Sequence, residues 1–158
     1  MEPRIKTLKE KKLVGMKQRM SLTNNSTGKL WSEFAPRIHE IKNKVSNEKI
    51  SMQVFDPSYY LSFNPNNEFV KWATLEVKEV ENIPNKMESF ILSGGLYAVF
   101  DYKGSSSDNS IFQYIYMNWI PNSEYQLDNR PHFEVLGEKY RNNDPISEEE
   151  IWIPIKTK

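Results

Sequence analysis

The chain has 158 residues, about the length of one domain, of which 38% are hydrophobic and 13% aromatic. Its 21 basic and 21 acidic side chains give no net field that would draw it to a phosphate backbone or an anionic lipid surface. The absence of cysteine excludes disulfides, thiolate zinc sites and a cysteine nucleophile, and no apolar run approaches the ~20 residues that span a bilayer. We therefore expect one cytoplasmic domain over 1–158, without direct nucleic-acid or membrane contact.

The N-terminus is charged and lacks the apolar core of a signal peptide. We interpret its basic residues as a solvated arm. They are Arg4, Lys6, Lys9, Lys11 and Lys12. The β-compatible, partly alternating stretch Leu13–Leu22 predicts a first strand, and the polar stretch Thr23–Gly28 predicts a loop.

A helix is predicted next, because apolar residues recur at three- and four-residue steps. These residues are Leu30, Trp31, Phe34, Ile38, Ile41 and Val45. Pro36 should kink or divide this helix. Two strands are predicted after it, Ile50–Phe55 and Phe69–Val80, separated by the polar, proline-marked stretch Asp56–Glu68.

A second cycle of elements begins with a strand over Met87–Tyr102, interrupted at Gly94 and Gly95. Several N-cap candidates in Ser105–Asn109 then predict the start of a short helix, which Pro121 should stop. One face of this helix is aromatic and apolar. Its residues are Ile111, Phe112, Ile115, Tyr116 and Trp119.

Two further strands are predicted over His132–Tyr140 and Glu150–Thr157, with the turn-like Arg141–Ser147 between them. The order strand, helix, strand, strand thus occurs in two halves, 13–82 and 87–157, with matching elements about 80 residues apart. The matched positions are Leu13 with Tyr97, Trp31 with Tyr114, and Trp72 with Trp152. We predict an α+β fold in which a duplicated β-α-β-β module has pseudo-twofold symmetry, antiparallel sheets and a central ligand cleft.

Several stretches of the chain carry a resemblance to a known family. They are LVGMKQRMSL, LWSEF, GGLYAVFDYKG, NWIPNSEYQLDNRPHFEVL and EIWIPIK. In this order, and over nearly the whole chain, they resemble the GyrI-like and AraC-type effector-binding family. The resemblance implies a cleft that accepts hydrophobic, often cationic compounds, with the glutamate of the P-x-F-E strand, here Glu134, facing the ligand.

Elementary electrostatics supports a ligand role for Glu134. A carboxylate among Phe133, Val135 and Leu136 is costly to bury unless a cation or a hydrogen-bond donor compensates it, and a cationic ligand would do so. Nearby rings would add cation-π attraction of about 0.5 to 2 kcal/mol each. The candidate ligand-binding residues are Glu134, Trp72, Trp152, Tyr116, Leu136, Phe112 and Trp119.

These candidates differ in the reason for their choice. Trp72 and Trp152 occupy matching places and are predicted on opposite walls of one cleft, and Tyr116 is favoured because its hydroxyl suits a pocket rim. For Glu134, the alternative is a solvated carboxylate on the outer face of a strand. For the aromatic residues, the alternative is ordinary core packing.

No cofactor and no metal are expected. His39 and His132 lack metal-ligand spacing, and the acidic run Glu148–Glu150 is interpreted as solvated because successive strand residues point in alternating directions. The strand Glu150–Thr157 is expected to be an exposed edge that could pair with another chain.

Three functions stay open. The resemblance favours a stand-alone ligand sensor or sequestering protein, because the chain leaves no room for the helix-turn-helix module of the family's transcription activators. The alternatives are a small hydrolase of electrophilic compounds with Glu134 as general base, and an inhibitor of a protein partner such as DNA gyrase.

Overall fold

The computed structural model describes every residue from Met1 to Lys158. The strands are β1 (Arg4–Leu8), β2 (Lys11–Ser21), β3 (Lys44–Val54), β4 (Glu68–Val77), β5 (Glu88–Leu92), β6 (Gly95–Lys103), β7 (Tyr125–Leu127), β8 (His132–Leu136) and β9 (Glu148–Thr157). The first helical segment is α1 (Thr27–Phe34) with a 3₁₀ helix (Ala35–Glu40), and the second is α2 (Ser110–Tyr114), a π-helical turn (Ile115–Trp119) and α3 (Ile120–Asn122). Neither segment has the length and apolar character that a membrane crossing requires.

The sheet is antiparallel at every pairing, in the order β1-β6-β9-β8-β3-β4-β2-β5, with β7 also paired to β9. From the β3–β8 pair outward, the order β3-β4-β2 of the first half repeats as β8-β9-β6 of the second. The predicted α+β fold with a duplicated β-α-β-β module is therefore confirmed, and its pseudo-twofold axis runs between β3 and β8.

The two outer strands cross between the halves. Strand β1 pairs with β6 of the second half, and β5 pairs with β2 of the first. The Leu8–Gly95 pair and the Lys11–Leu92 pair belong to one continuous register, so the sheet curls until its two ends meet. Gly94 lies at this bend, where an added Cβ would be 2.4 Å from the carbonyl oxygen of Leu8.

The basic residues taken for a solvated arm are exposed or half-buried, but all except Lys9 lie in strands β1 or β2. Arg4–Leu8 is β1, and the Arg4 guanidinium donates hydrogen bonds to Asp101 at 2.7 Å and to Glu150 at 3.0 Å. The sequence alone did not indicate this strand, because its partner strand β6 lies far along the chain. The expectation of an exposed edge at Glu150–Thr157 was also wrong, since β9 pairs with β6 on one side and with β8 and β7 on the other.

The helices follow the sequence patterns less closely at their ends. The first helix becomes 3₁₀ from Ala35, next to Pro36, so the predicted division occurs there. Val45 was wrongly assigned to this helix and lies in β3. Pro121 does not end the second segment but lies inside its last turn, which continues to Asn122.

Both helical segments pack on the same face of the sheet, which we call the helix face. The segment after β2 covers β2 and β4 in one buried cluster that contains Phe34 and Leu75. The segment after β6 covers β6 and β9 in a second cluster that contains Phe100 and Ile115. A third cluster, centred on Met52, fills the opposite face. The central strands β3 and β8 lie between the two helix-covered regions.

On the opposite face, four large side chains form a row across the pseudo-twofold axis. Trp72 lies opposite Met52, Met52 opposite Phe133, and Phe133 opposite Trp152. The rings of Phe133 and Trp152 stack with centroids 5.2 Å apart. Trp72 and Trp152 thus occupy equivalent places in the two halves and share one apolar cluster.

The predicted match of Leu13 with Tyr97 between the two halves was wrong by two residues. Gly15 lies opposite Thr74 in the first half, and Tyr97 lies opposite Pro154 in the second. Since Thr74 and Pro154 each come two residues after the matched tryptophans, the counterpart of Tyr97 is Gly15. Sequence similarity between the halves is too low to reveal this register.

Candidate functional site

On the helix face, the central strands β3 and β8 lie between the regions covered by the two helical segments, and we call this strip of the sheet the groove. Side chains alternate along a strand, and the Ser51–Glu134 and Gln53–His132 pairs place these four polar side chains on its floor. His132 is only 4% exposed, and the side chain of Glu134 is 12% exposed. The groove floor is therefore polar but largely withdrawn from solvent.

Glu134 has two polar neighbours from the first half of the chain. The Gln53 side-chain amide donates a hydrogen bond to Glu134 Oε1 at 3.0 Å, and Lys71 Nζ lies 3.8 Å from the same oxygen. Burial raises the pKa of Glu134, while Lys71 and the Gln53 hydrogen bond oppose that rise. Burial likewise lowers the pKa of Lys71, against the attraction of Glu134 and Glu149. The chain thus supplies its own cation to this buried carboxylate.

Glu149 adds a second acidic group to the same region. Burial raises its pKa to about 7, the charge of Glu134 adds to the rise, and Lys71 opposes it. The predicted description of the acidic run as solvated was wrong for Glu149, whereas the side chains of Glu148 and Glu150 are 45% and 37% exposed. Glu148 lies 3.9 Å from Lys139, and Glu150 binds Arg4 on the opposite face. The side chains do alternate in direction, so only Glu149 of the run reaches the groove.

A wall of aromatic rings stands over the floor. The Tyr116 hydroxyl and His132 Nδ1 are hydrogen-bonded at 2.9 Å, and the Tyr60 ring stacks on His132 at a centroid distance of 5.6 Å. Tyr60 is also 5.0 Å from the Tyr116 ring, and Phe55 meets His132 edge-on at 4.8 Å. Burial lowers the pKa of His132 to about 3, so this imidazole is neutral near pH 7. The wall is therefore uncharged.

Tyr60 reaches this wall from the irregular connection between β3 and β4. Asp56 accepts a hydrogen bond from the Ser58 backbone at 3.1 Å at one end of the connection. At the other end, Thr23 donates to the side-chain oxygen of Asn66 at 2.6 Å. The sequence predicted only a polar connection here, although its adjacent tyrosines, Tyr59 and Tyr60, were a usable signal.

Two open surface depressions lie outside the groove. One has a volume of about 480 Å³ and is lined by residues 83–89, and the other, of about 380 Å³, lies on the outer side of the β3–β4 connection. Neither includes Glu134, Tyr116 or His132. No cluster of three or more histidine, aspartate and glutamate side chains has the arrangement of a metal site.

Comparison with known proteins agrees with this architecture. The model of a family described as the GyrI-like small molecule binding domain matches residues 1–156. The chain belongs to this family. As a GyrI-like domain, it is 32% identical over 146 residues to the transcriptional regulator BrlR of Pseudomonas aeruginosa, covering 90% of this chain and 51% of the regulator. The chain therefore spans about half the length of that relative.

Two solved structures share the fold at lower identity. SAV2435, solved bound to tetraphenylphosphonium, matches with a TM-score of 0.70 and 16% identity over 99% of this chain and 94% of its own. EcmrR, in a complex with DNA, matches with a TM-score of 0.76 and 13% identity over 99% of this chain and 58% of its own. At these identities the likeness extends to the fold.

The groove of this GyrI-like domain contains two of the predicted site residues, Glu134 and Tyr116. Leu136 lies buried at the end of the same strand, opposite Lys49. Phe112 and Trp119 pack instead against the core of the second half, where Trp119 meets Phe100 edge-on at 5.3 Å. Of the three aromatic residues on this helical face, only Tyr116 contacts a residue of the central strands.

Trp72 and Trp152 are not brought to the groove. They lie on the opposite face, and the sheet separates them from Glu134. The reason is the two-residue period of a strand, which points their preceding neighbours, Lys71 and Ile151, to the helix face. The polar groove residues that the sequence reasoning missed are Gln53, Tyr60, Lys71, His132 and Glu149.

Proposed function

We propose that this GyrI-like domain binds hydrophobic, ring-bearing organic compounds in the groove between its helical segments, as a ligand sensor or a sequestering protein. The observation that carries the proposal is a neutral aromatic wall of Tyr60, Tyr116 and His132 above the buried carboxylate of Glu134. Binding sites for small molecules commonly combine apolar walls with a few oriented polar groups.

The polar groups on the groove floor can form more hydrogen bonds than they form within the protein. Glu134 accepts one hydrogen bond, from Gln53, and its 3.8 Å distance from the ammonium of Lys71 is too long for a second one. Buried polar groups are ordinarily hydrogen-bonded, and charged ones more fully than neutral ones. A ligand that carries a donor or an acceptor would use this capacity and gain orientation from it.

Tyr60 is the ring that a ligand would replace. It stacks on His132 and lies beside Tyr116, yet it belongs to an irregular connection rather than to the sheet. Tyr116 and His132 are held by the second helical segment and by β8. An aromatic ligand can therefore take the place of Tyr60 against two well-anchored partners.

Hydrolysis is the second candidate function. It is favoured by the raised pKa of Glu134, because burial moves this carboxyl towards the range in which it serves as a general base near neutral pH. Turnover distinguishes this candidate from simple binding. Inhibition of a protein partner stays a prediction of the sequence alone, and a pull-down would test it.

The test of the proposed function is a titration of the full chain with tetraphenylphosphonium and with the uncharged compound triphenylphosphine oxide. We expect saturable thermal stabilisation and calorimetric binding of at least one compound. Tyr116→Ala should weaken it by about tenfold or more, since a buried aromatic contact contributes roughly 1 to 2 kcal/mol. The matched control is Tyr114→Ala, which removes a tyrosine of the same segment whose hydroxyl bonds Met1 at 3.0 Å.

The outcomes separate the candidates. A loss for Tyr116→Ala, with the affinity of Tyr114→Ala within about twofold of wild type, supports the groove. The absence of binding by any compound, or equal losses in the two variants, contradicts it. For the hydrolase candidate, product formation from activated esters would be followed by chromatography in wild type and in Glu134→Gln.

A further inference from the structure

Lys71 occupies a central position on the groove floor. It lies on β4 opposite Gln53, which in turn lies opposite His132 of β8. Its side chain is 9% exposed, and its ammonium is 3.8 Å from Glu134. A cation of the chain itself therefore stands where a cationic ligand would approach the carboxylate.

The pseudo-twofold symmetry shows that the fold does not require a lysine at this position. Lys71 directly precedes Trp72, and the residue that directly precedes the matching Trp152 is Ile151, which is fully buried. Gln53 and Glu134 are matched in the same way, since each directly follows a member of the Met52–Phe133 pair. Lys71 and Glu134 thus place charges on the groove floor at positions where the symmetric scaffold does not require them.

A buried lysine has a clear electrostatic consequence for ligands. Removal of an ammonium from water is unfavourable, so a fold retains it at a partner carboxylate. Any second cation at Glu134 would meet the like charge of Lys71 in a poorly solvated site, where repulsion is stronger than in water. An uncharged or acidic compound would meet a free N–H donor instead.

We propose that Lys71 is a specificity-determining residue that disfavours hydrophobic cations and favours uncharged or acidic compounds of the same shape. This inference rests on the proposed function, since it concerns ligands of the same groove. It revises the expectation that Glu134 alone would attract cations, because the carboxylate is already paired. Specificity then arises from a repulsive element as well as an attractive one.

The test uses two ions of nearly the same shape and opposite charge, tetraphenylphosphonium and tetraphenylborate. Calorimetric titrations of the full chain are run at pH 6, below the pKa of about 7 of Glu149, so that the Glu149 carboxyl is mainly uncharged. In Lys71→Met we expect tetraphenylphosphonium to bind about tenfold or more tightly and tetraphenylborate about tenfold or more weakly. The ratio of the two dissociation constants is the readout.

Two controls test whether the change in affinity comes from Lys71 in the groove or from the changed net charge of the protein. Lys17→Met removes a lysine that is 47% exposed beside Trp72 on the opposite face, and it should leave both affinities within about twofold. In the double variant Lys71→Met with Glu134→Gln, the gain for the phosphonium ion should disappear. Lys71→Gln repeats the test with a polar side chain if the methionine variant does not fold.

The proposal and the proposed function fail differently. If the ions bind but the ratio is the same in wild type, Lys71→Met and Lys71→Gln, Lys71 is a structural residue and the specificity proposal is overturned. If neither ion binds wild type or any variant, the specificity proposal is overturned, whereas the proposed function is overturned only if triphenylphosphine oxide also fails to bind.

Discussion

The two faces of the sheet at its centre carry very different chemistry on the same strands. The opposite face carries the apolar row of Trp72, Met52, Phe133 and Trp152, which is similar on both sides of the pseudo-twofold axis. The helix face carries the polar groove, where Lys71 and Glu134 belong to different halves and have no charged counterparts. Adjacent residues in the chain therefore belong to a symmetric core and to an asymmetric site.

This difference between the two faces shows which positions stay similar in the two halves of a duplicated fold. The opposite face is enclosed by the curl of the sheet, so both halves must fill it with side chains of suitable volume. The groove floor is covered on the helix side by side chains from loops and helices, which leaves room for residues of either polarity. Packing thus preserves symmetry, and the candidate site lies where symmetry is broken.

The largest expected effect is on the apolar row. Phe133→Ala should lower the free energy of unfolding by about 3 to 5 kcal/mol, because it leaves a cavity at a fully buried ring stacked on Trp152. Urea unfolding measures this change. The control is Phe63→Ala, at a ring that is 54% exposed, with an expected loss below about 1 kcal/mol. If the two variants lost similar free energies of unfolding, the opposite face would not be central to stability.

A smaller effect is expected from acid, and it should come from the groove. The pKa of His132 is about 3 in the fold, against 6.5 for an unperturbed histidine, so the unfolded chain binds more protons between these values. The contribution of neutral His132 is complete above pH 6.5 and is lost as the pH falls towards 3. By pH 4 the expected loss is roughly 2 to 3 kcal/mol.

Urea unfolding from pH 7 to pH 4 tests this expectation. His132→Gln should remove that part of the pH dependence, whereas His39→Gln, at an exposed histidine, should retain it. Parallel pH profiles for wild type and His132→Gln would show that the buried imidazole does not govern acid sensitivity.

The smallest effect concerns Glu149 and has the opposite sign. Its pKa is raised to about 7 by burial, so the fold binds its proton more tightly than the unfolded chain does, and stability falls as the pH rises from about 4.5 to 7. Glu149→Gln should therefore stabilise the protein by roughly 1 to 2 kcal/mol at pH 8, allowing for partial solvent exposure, and by almost nothing at pH 4.

Paired thermal unfolding at pH 4 and pH 8 would measure that difference. Glu148→Gln is the matched control, because its carboxylate forms an ion pair with Lys139 at 3.9 Å on a more exposed part of the strand. A stabilisation of Glu149→Gln that is equal at both pH values would locate the effect in packing rather than in ionisation.

Local sequence patterns determined much of the scaffold. The apolar spacing around Phe34 and Ile115 indicated both helical segments, and the glycines near Gly94 marked the bend between β5 and β6. The match of Trp72 with Trp152 indicated the duplication, and the family resemblance carried by the P-x-F-E stretch singled out Glu134. These signals are visible in the sequence because each depends on residues within one element or on the repetition of one element.

Only the tertiary structure decided which residues share the groove. Lys71, Tyr60 and His132 come from different parts of the chain, and they meet Glu134 through strand pairing and through the packing of the β3–β4 connection. A one-residue change of strand phase exchanges the two faces, so the sequence could not place Trp152 and Glu134 on opposite sides of the sheet. Residue types and periodicity are local properties, whereas register and the crossing of β1 and β5 between the halves depend on contacts between distant segments.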